Sequence, residues 1–201
     1  MQLTEEQLDL LKEIGNIGAG NAATALSTLT GKKVDITVPS AKYVSISDIP
    51  FLFDSPEEIV VGIRMTIRRD LIMDILLILD AKTTKMILSS LMNTECKDIT
   101  QLDPMSKSAL REIGNIMCGS YITAMAEFIN SYLDPSPPEL ITDMLTGIVS
   151  EAILSTAEYE DNVVFVETSL SVEKLEKIKA NLFLMPGIGT LNEVFDKMGL
   201  M

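Results

Sequence analysis

The sequence predicts an α/β (α+β) fold: an internally duplicated, pseudo-two-fold unit in which two long helices pack on a β-sheet. The main observation is a repeat, because residues 9–24 (DLLKEIGNIGAGNAAT) recur as residues 108–123 (SALREIGNIMCGSYIT) at an offset of 99 positions. The second observation is that helical and strand-like periodicities follow one another in both halves. We therefore expect residues 1–201 to form a single domain made of two homologous halves, about 1–100 and 101–201.

The first half is predicted to begin with a long helix over residues 4–30. Thr4 and Gln7 have the T-x-x-Q spacing of a capping box, and Gly31 suits the end of the helix. Apolar or small residues form one stripe along its length. An extended segment, two paired strands and a second helix are expected to follow, over 32–46, 57–69, 71–79 and 80–93.

The second half is predicted to begin with a corresponding helix near 103–131. After Pro138 the two halves no longer resemble each other. Residues 139–153 (ELITDMLTGIVSEAI) have apolar side chains at helical spacing, so we expect a helix there. Two strands and a short helix are expected to follow, over 162–172, 177–186 and near 190–198.

Composition narrows the classes of function. With 47% hydrophobic residues and a net charge of −13, the chain is expected to be globular and to bind neither nucleic acid nor a membrane surface. It has no histidine, and Cys96 and Cys118 lack the spacing of zinc or redox motifs, so a metallohydrolase is poorly supported. The polar start MQLTEEQ and the short apolar run at 71–80 predict neither a signal peptide nor a membrane span. We expect a cytoplasmic protein with reduced thiols.

The repeat keeps a polar pattern as well as an apolar one, and this pattern is the strongest indication of function. Each half reads [D/S]-x3-E-x2-N-x22-P. The positions are Asp9, Glu13, Asn16 and Pro39 in the first half and Ser108, Glu112, Asn115 and Pro138 in the second. Either copy alone would indicate an ordinary solvated helix face. Several neighbouring residues differ between the copies while the pattern is kept, so a functional site is the favoured interpretation.

Glutamate and asparagine three residues apart share one face of a helix. A carboxylate can pair with a lysine or arginine of a partner, and a carboxamide both donates and accepts, so it can hold a water molecule in one orientation. This pair suits phosphoryl transfer, where positioning and charge stabilisation supply most of the catalysis. Glutamate as a general base is a less natural alternative, because an exposed glutamate is ionised and weakly basic.

Glycines inside the two long helices also require an explanation, because each costs about 1 kcal/mol relative to alanine. We expect Gly15 and Gly114 to allow another element of the fold to approach. We expect Gly20 and Gly119, on the polar face, to allow a partner to approach.

The segments EIGNIGAGNAATAL and SALREIGNIMCGSYITAMAEF, with MPGIGTLNEVFDKMG near the end, resemble the CheC family of chemotaxis phosphatases, which includes CheX and FliY relatives. The resemblance covers essentially the whole chain. It implies phosphorylated CheY as the substrate, with Mg²⁺ carried by CheY and no cofactor held by this chain. It implies that Glu13 and Glu112 pair with the phosphate-site lysine of CheY, and that Asn16 and Asn115 orient the attacking water.

The other motif residues are given supporting roles. Asp9 and Ser108 are expected to support the glutamates from the helix surface. Pro39 and Pro138 are expected to shape the scaffold rather than to touch phosphate.

The resemblance also implies a second partner, the receptor deamidase CheD, which would dock on the predicted helix after Pro138. Asp143 would be either a docking residue there or an ordinary solvated acid. Two functions therefore remain open: a phosphatase acting on CheY phosphate, and a weakly catalytic or non-catalytic adaptor that binds and regulates CheD.

Overall fold

The computed structural model describes residues 2–154, 160–173 and 177–200. The predicted strands and helices appear close to their expected ranges, apart from residues 139–153. The helices are α1 (Glu5–Thr30), α2 (Ala81–Met92), α3 (Pro104–Phe128), α4 (Leu145–Leu154) and α5 (Thr190–Lys197). The strands are β1 (Val34–Ser45), β2 (Ile59–Arg68), β3 (Ile72–Leu79), β4 (Glu139–Met144), β5 (Asn162–Val172) and β6 (Ile178–Pro186). Short 3₁₀ helices cover Ile46–Leu52 and Ile99–Gln101.

The strands form one antiparallel sheet in the order β1-β5-β6-β3-β2-β4. The first strand of each half pairs with a strand of the other half, because β1 lies beside β5 and β4 lies beside β2. The order reads the same from both edges when the two halves are exchanged. The predicted fold class, an internally duplicated unit with two long helices on a sheet, is confirmed.

Local sequence signals set the limits of the two long helices. The Thr4 side chain accepts from the Gln7 N–H, and the Gln7 side chain accepts from the Thr4 N–H, so the predicted capping box forms. Gly31 ends α1 with a φ of 68°, in the left-handed region that suits glycine. At the start of α3, the Asp103 carboxylate accepts from two backbone N–H groups, and Pro104 occupies the first turn.

The helices α1 and α3 pack against each other on one face of the sheet. A Cβ added at Gly18 would lie 2.8 Å from the Tyr121 Cα, so only glycine permits this approach. The Tyr121 hydroxyl donates to the Leu11 carbonyl at 3.2 Å. Gly15 contacts Val38 of β1, which agrees with its predicted role in a close approach.

A large core lies between this face of the sheet and the long helices, and a smaller core covers part of the other face. In the smaller core, the 3₁₀ helix Ile46–Leu52 and α4 pack on the sheet beside Phe165 and Phe183, whose rings stack at 5.0 Å between centroids. Each of the two long helices therefore has one face that points away from the sheet into solvent, and this face carries its copy of the repeated polar motif.

The predicted helix at 139–153 is wrong in its first part. Glu139–Met144 is the edge strand β4, with Arg64 opposite Glu139 and Ile59 opposite Met144 on β2. The helical spacing arose because Leu140 and Met144 on the strand happen to stand in register with apolar residues of α4. Pairing with β2 decides the outcome, since a six-residue segment carries too little local preference to resist it.

The point at which the halves diverge also needs correction. At the repeat's offset of 99, β4 coincides with the end of β1, so the correspondence continues beyond Pro138. It ends at residue 145, where α4 replaces the 3₁₀ helix of the first half.

Candidate functional site

The repeated motif forms two separate sites, one on each long helix. Site one consists of Glu13 and Asn16 on α1, and site two consists of Glu112 and Asn115 on α3. All four side chains are exposed. Within the described ranges, neither glutamate forms an ion pair, so both carboxylates are available to a partner.

Site one lies in a shallow groove of about 450 Å³. Its lining residues are Asp9, Lys12, Glu13, Asn16 and Ile17. Gly20 follows one turn later, and a Cβ added there would meet nothing within 4 Å. The helix surface past Asn16 is therefore open, and the approach of a partner there stays a prediction.

The Asn16 carboxamide is bound to the neighbouring strand. Its Oδ1 accepts from the Val38 N–H at 3.0 Å, and its Nδ2 donates to the Val38 carbonyl at 3.5 Å. The β1–β5 pairing is interrupted here: Thr37 pairs with Ser169 and Ser40 with Glu167, leaving Val38 and Pro39 opposite one residue. Such a bulge leaves backbone groups unpaired, and Asn16 satisfies them.

This contact explains the N-x22-P spacing in the first half. Pro39 has no N–H to donate, and it occupies the bulge, where no donor to β5 is required. The residue before it, Val38, presents its N–H and its carbonyl to Asn16. Pro39 lies in this bulge, next to the residue that Asn16 binds, and its expected role in shaping the scaffold stays a prediction.

Site two adjoins a groove of about 630 Å³, which runs between α3 and the segment 130–135. Asn115, Gly119, Thr123 and Tyr132 are among its lining residues. A Cβ added at Gly119 would also meet nothing within 4 Å. By contrast, a Cβ at Gly114 would lie 2.5 Å from the Ile63 side chain, which agrees with the predicted close approach of another element.

The Asn115 side chain makes no hydrogen bond to any part of the chain that the structure describes. The counterpart of Val38 is Pro137, which cannot donate. The segment before Pro138 is instead held to β2, where the Ser136 N–H donates to the Thr66 carbonyl at 2.8 Å and the Thr66 N–H to the Ser136 Oγ at 3.0 Å.

The supporting residues are placed differently from one another. Asp9 and Ser108 are exposed one turn before the glutamates, and no hydrogen bond among the described residues joins either to its glutamate. Their supporting role therefore stays a prediction. Val38 and Pro137 were missed by the sequence reasoning, although the fixed N-x22-P spacing was the signal that could have found the position before each proline.

Alternative catalytic groups are not assembled near either site. Cys118 lies one turn after Asn115, but it is buried, and burial raises the pKa of its thiol to about 12. It therefore stays protonated and unreactive at neutral pH. In residues 2–154, 160–173 and 177–200, no three His, Cys, Asp or Glu side chains are arranged to hold a metal ion.

Asp143 is exposed at the end of β4, and it lines neither groove. Its Oδ1 accepts from the Met144 N–H at 2.7 Å, and its carboxylate lies beside Gly147 in the first turn of α4. The structure thus separates this residue from both Glu/Asn pairs.

Comparison with known proteins gives a consistent family. The model described as the CheC-like family matches residues 6–43 and 105–142, so each match contains one complete copy of the motif. CheY-P phosphatase CheC of Bacillus subtilis is 33% identical over 200 residues, which are 98% of this chain and 96% of that relative. Flagellar motor switch phosphatase FliY of the same organism is 30% identical over 181 residues, covering 90% of this chain and 46% of FliY.

The crystal structure of Thermotoga maritima FliY has the same architecture. It superposes with a TM-score of 0.80 at 27% identity, covering 99% of this chain and 98% of that one. The fold and the duplicated motif together define a class of proteins with two quasi-equivalent helix-surface sites. This chain belongs to the CheC-like family. In the described part of the chain, no helix is both long and apolar enough to cross a membrane.

Proposed function

We propose that this chain is a phosphatase that hydrolyses the aspartyl phosphate of the chemotaxis response regulator CheY. The observation that carries the proposal is the duplicated, exposed Glu/Asn pair: each copy lies on a long helix beside an open groove. The names of the two Bacillus subtilis relatives support the reaction class and, in the case of CheC, the substrate. A cytoplasmic location would follow from this substrate.

In this proposal, docking depends on the glutamates. Glu13 or Glu112 forms a salt bridge with a lysine of the regulator, next to its phosphorylated aspartate. The pairing is favoured because these carboxylates have no competing ion pair within the described ranges and because the chain carries a net charge of −13.

Hydrolysis depends on the asparagines. Asn16 or Asn115 enters the regulator's active site and holds a water molecule in line with the phosphorus–oxygen bond to be broken. The regulator supplies the Mg²⁺ that neutralises charge on the phosphoryl oxygens. The bond between phosphorus and the aspartyl oxygen breaks, the carboxylate is regenerated, and inorganic phosphate leaves.

The test is phosphate release from phosphorylated CheY. Replacing both asparagines, Asn16→Ala with Asn115→Ala, should slow release by about 10²-fold, because a displaced reactant costs roughly that factor. Asn21→Ala is the matched control, since Asn21 is exposed on α1 outside the motif. A folded double variant with unchanged activity would refute the assignment.

A second candidate is an adaptor that binds CheD. Asp143 and Met144 are both exposed and lie together beside α4, and Met144 has a relative exposure of 45%. An exposed acid next to an exposed apolar side chain favours a partner contact there. Adding CheD to the phosphate-release assay separates the candidates: an adaptor binds CheD and stays inactive, whereas a phosphatase is active without CheD.

A further inference from the structure

The two copies of the motif differ in how the asparagine is held. Both ends of the Asn16 carboxamide face the backbone of one residue: Oδ1 accepts from the Val38 N–H at 3.0 Å, and Nδ2 donates to the Val38 carbonyl at 3.5 Å. This hydrogen-bonded pair directs the side chain towards β1. To reach a phosphoryl group inside another protein, the carboxamide must leave the strand.

Withdrawing the Asn16 carboxamide from the strand costs free energy, because the bulge leaves Val38 without a partner on β5. The Val38 N–H has no partner on β5, because the pairing skips from Thr37 to Ser40. Val38 itself is buried, with a relative exposure of 4%. Withdrawing Asn16 therefore exposes a donor and an acceptor that the strand cannot satisfy internally, and such groups are unfavourable when unpaired.

Site two lacks this restraint. At the position of Val38 it has Pro137, which carries no N–H, and the Asn115 side chain has no partner among the described residues. The same bulge is present, because Pro135 pairs with Ile67 and Glu139 with Arg64. At the bulge itself, the difference between the sites is therefore a missing donor.

We propose that the residue before the motif proline makes the two sites unequal: the Val38 peptide holds Asn16 back against β1, whereas Pro137 leaves Asn115 free. Site two then carries most of the hydrolysis. This inference rests on the proposed phosphatase function. Val38 and Pro137 are positioning residues, because they act through the asparagines and do not touch substrate.

The activity test uses single-site backgrounds. With Asn115→Ala only site one remains, and with Asn16→Ala only site two remains. We expect the site-one enzyme to have a kcat about threefold to tenfold lower, the factor that one or two net hydrogen bonds supply. KM should be similar in both, because docking depends on the intact glutamates.

The donor is then exchanged between the sites. Val38→Pro in the site-one enzyme should raise kcat severalfold, and Val38→Ala, which keeps the N–H, should not. Pro137→Ala in the site-two enzyme adds a donor and should lower kcat. Pro137 is exposed, so this variant remains informative if Val38→Pro does not fold.

A measurement without substrate separates this inference from the proposed function. In hydrogen exchange, the Val38 amide should be protected in the wild-type protein and should exchange faster in Asn16→Ala. Equal protection in the two proteins would overturn the restraint. A faster site-one enzyme, or kcat unmoved by both donor exchanges, would overturn the inequality. Loss of the phosphatase assignment would appear separately, as hydrolysis that no Asn replacement affects.

Discussion

The two halves of the molecule carry the same four-residue motif, but their long helices are attached to the following strand in different ways. In the first half, α1 is joined to β1 at two points: Asn16 binds the Val38 peptide, and the Val34 N–H donates to Ser27 Oγ at 3.0 Å. Neither contact has a counterpart among the described residues of the second half. Ala126 stands at the position of Ser27 and cannot accept, and Pro137 cannot donate.

The connection that follows the helix also differs. The chain passes from α1 to β1 between Thr30 and Val34, whereas it leaves α3 at Phe128 and reaches β4 only at Glu139, with a groove of about 630 Å³ beside Asn115. A duplicated motif can thus keep its chemical groups while the backbone contacts that hold them diverge. Residue identity alone therefore does not make the two sites equivalent.

Charge reversal at the glutamates of the two sites is expected to have the largest effect, which is a loss of affinity for phosphorylated CheY. Glu13→Lys with Glu112→Lys should weaken binding of phosphorylated CheY by about 10-fold to 100-fold, because like charges would face each other at the contact. Each single reversal should remove binding at its own site only. Titration of phosphorylated CheY measures the affinity.

Glu57→Lys is the matched control, since Glu57 is exposed away from the motif and gives the same change in net charge as one reversal. Thermal unfolding should change little in all four variants (the double reversal, the two single reversals and the control), because surface substitutions affect stability weakly. Unchanged affinity in the double reversal would contradict the docking role.

The next effect concerns the glycines that let the helices approach. Gly114→Ala should lower the free energy of unfolding by about 1–3 kcal/mol, because its Cβ would overlap the Ile63 side chain. Gly15→Ala should cost less, since its nearest contact is Val38 at 3.3 Å. Urea denaturation of the two variants measures the difference.

Ile63→Ala removes the Cγ2 and Cδ1 atoms that a Cβ at Gly114 would overlap, so it should cost less stability in the Gly114→Ala background than in the wild-type protein. If Gly15→Ala is less stable than Gly114→Ala, the conclusion that Gly114 is the more tightly packed of the two glycines is wrong.

The duplicated fold, the two ends of α1 and the close approaches at Gly15 and Gly114 were all predicted from the sequence. These features depend on local caps and on residues that lack a side chain, so the chain itself carries the information. Strand β4 could not be predicted, because its pairing with β2 joins segments more than seventy residues apart. The same holds for the Asn16–Val38 contact, which only the bulge makes possible.

A smaller effect is expected at the open glycines. Gly20→Ala and Gly119→Ala should each raise the free energy of unfolding by up to about 1 kcal/mol, since alanine favours helix and nothing lies within 4 Å of the new Cβ. A larger side chain should instead block a partner.

Gly119→Leu in the site-two enzyme should therefore raise KM severalfold while the protein stays folded. Gly20→Leu in the same enzyme is the control, because Gly20 belongs to site one. If both leucine variants retain wild-type KM, the expectation that a partner approaches over these glycines is wrong.

The smallest effect on hydrolysis is expected at Asp143. The structure moves this residue from the predicted helix to the end of β4, two residues before the point at which the halves diverge, and Val44 stands at its counterpart position on β1. Because its carboxylate adjoins the first turn of α4, its reversal has two distinguishable consequences. Asp143→Lys should leave phosphate release from CheY unchanged, since Asp143 lines neither groove. It should weaken CheD binding if CheD docks on this edge.

Asp143→Asn keeps an oxygen that can accept from the Met144 N–H, so it separates loss of the charge from loss of the contact with the start of α4. Pull-down of CheD and phosphate release are measured on both variants. Normal CheD binding by Asp143→Lys, or a loss of basal hydrolysis, would count against a one-sided docking surface beside α4.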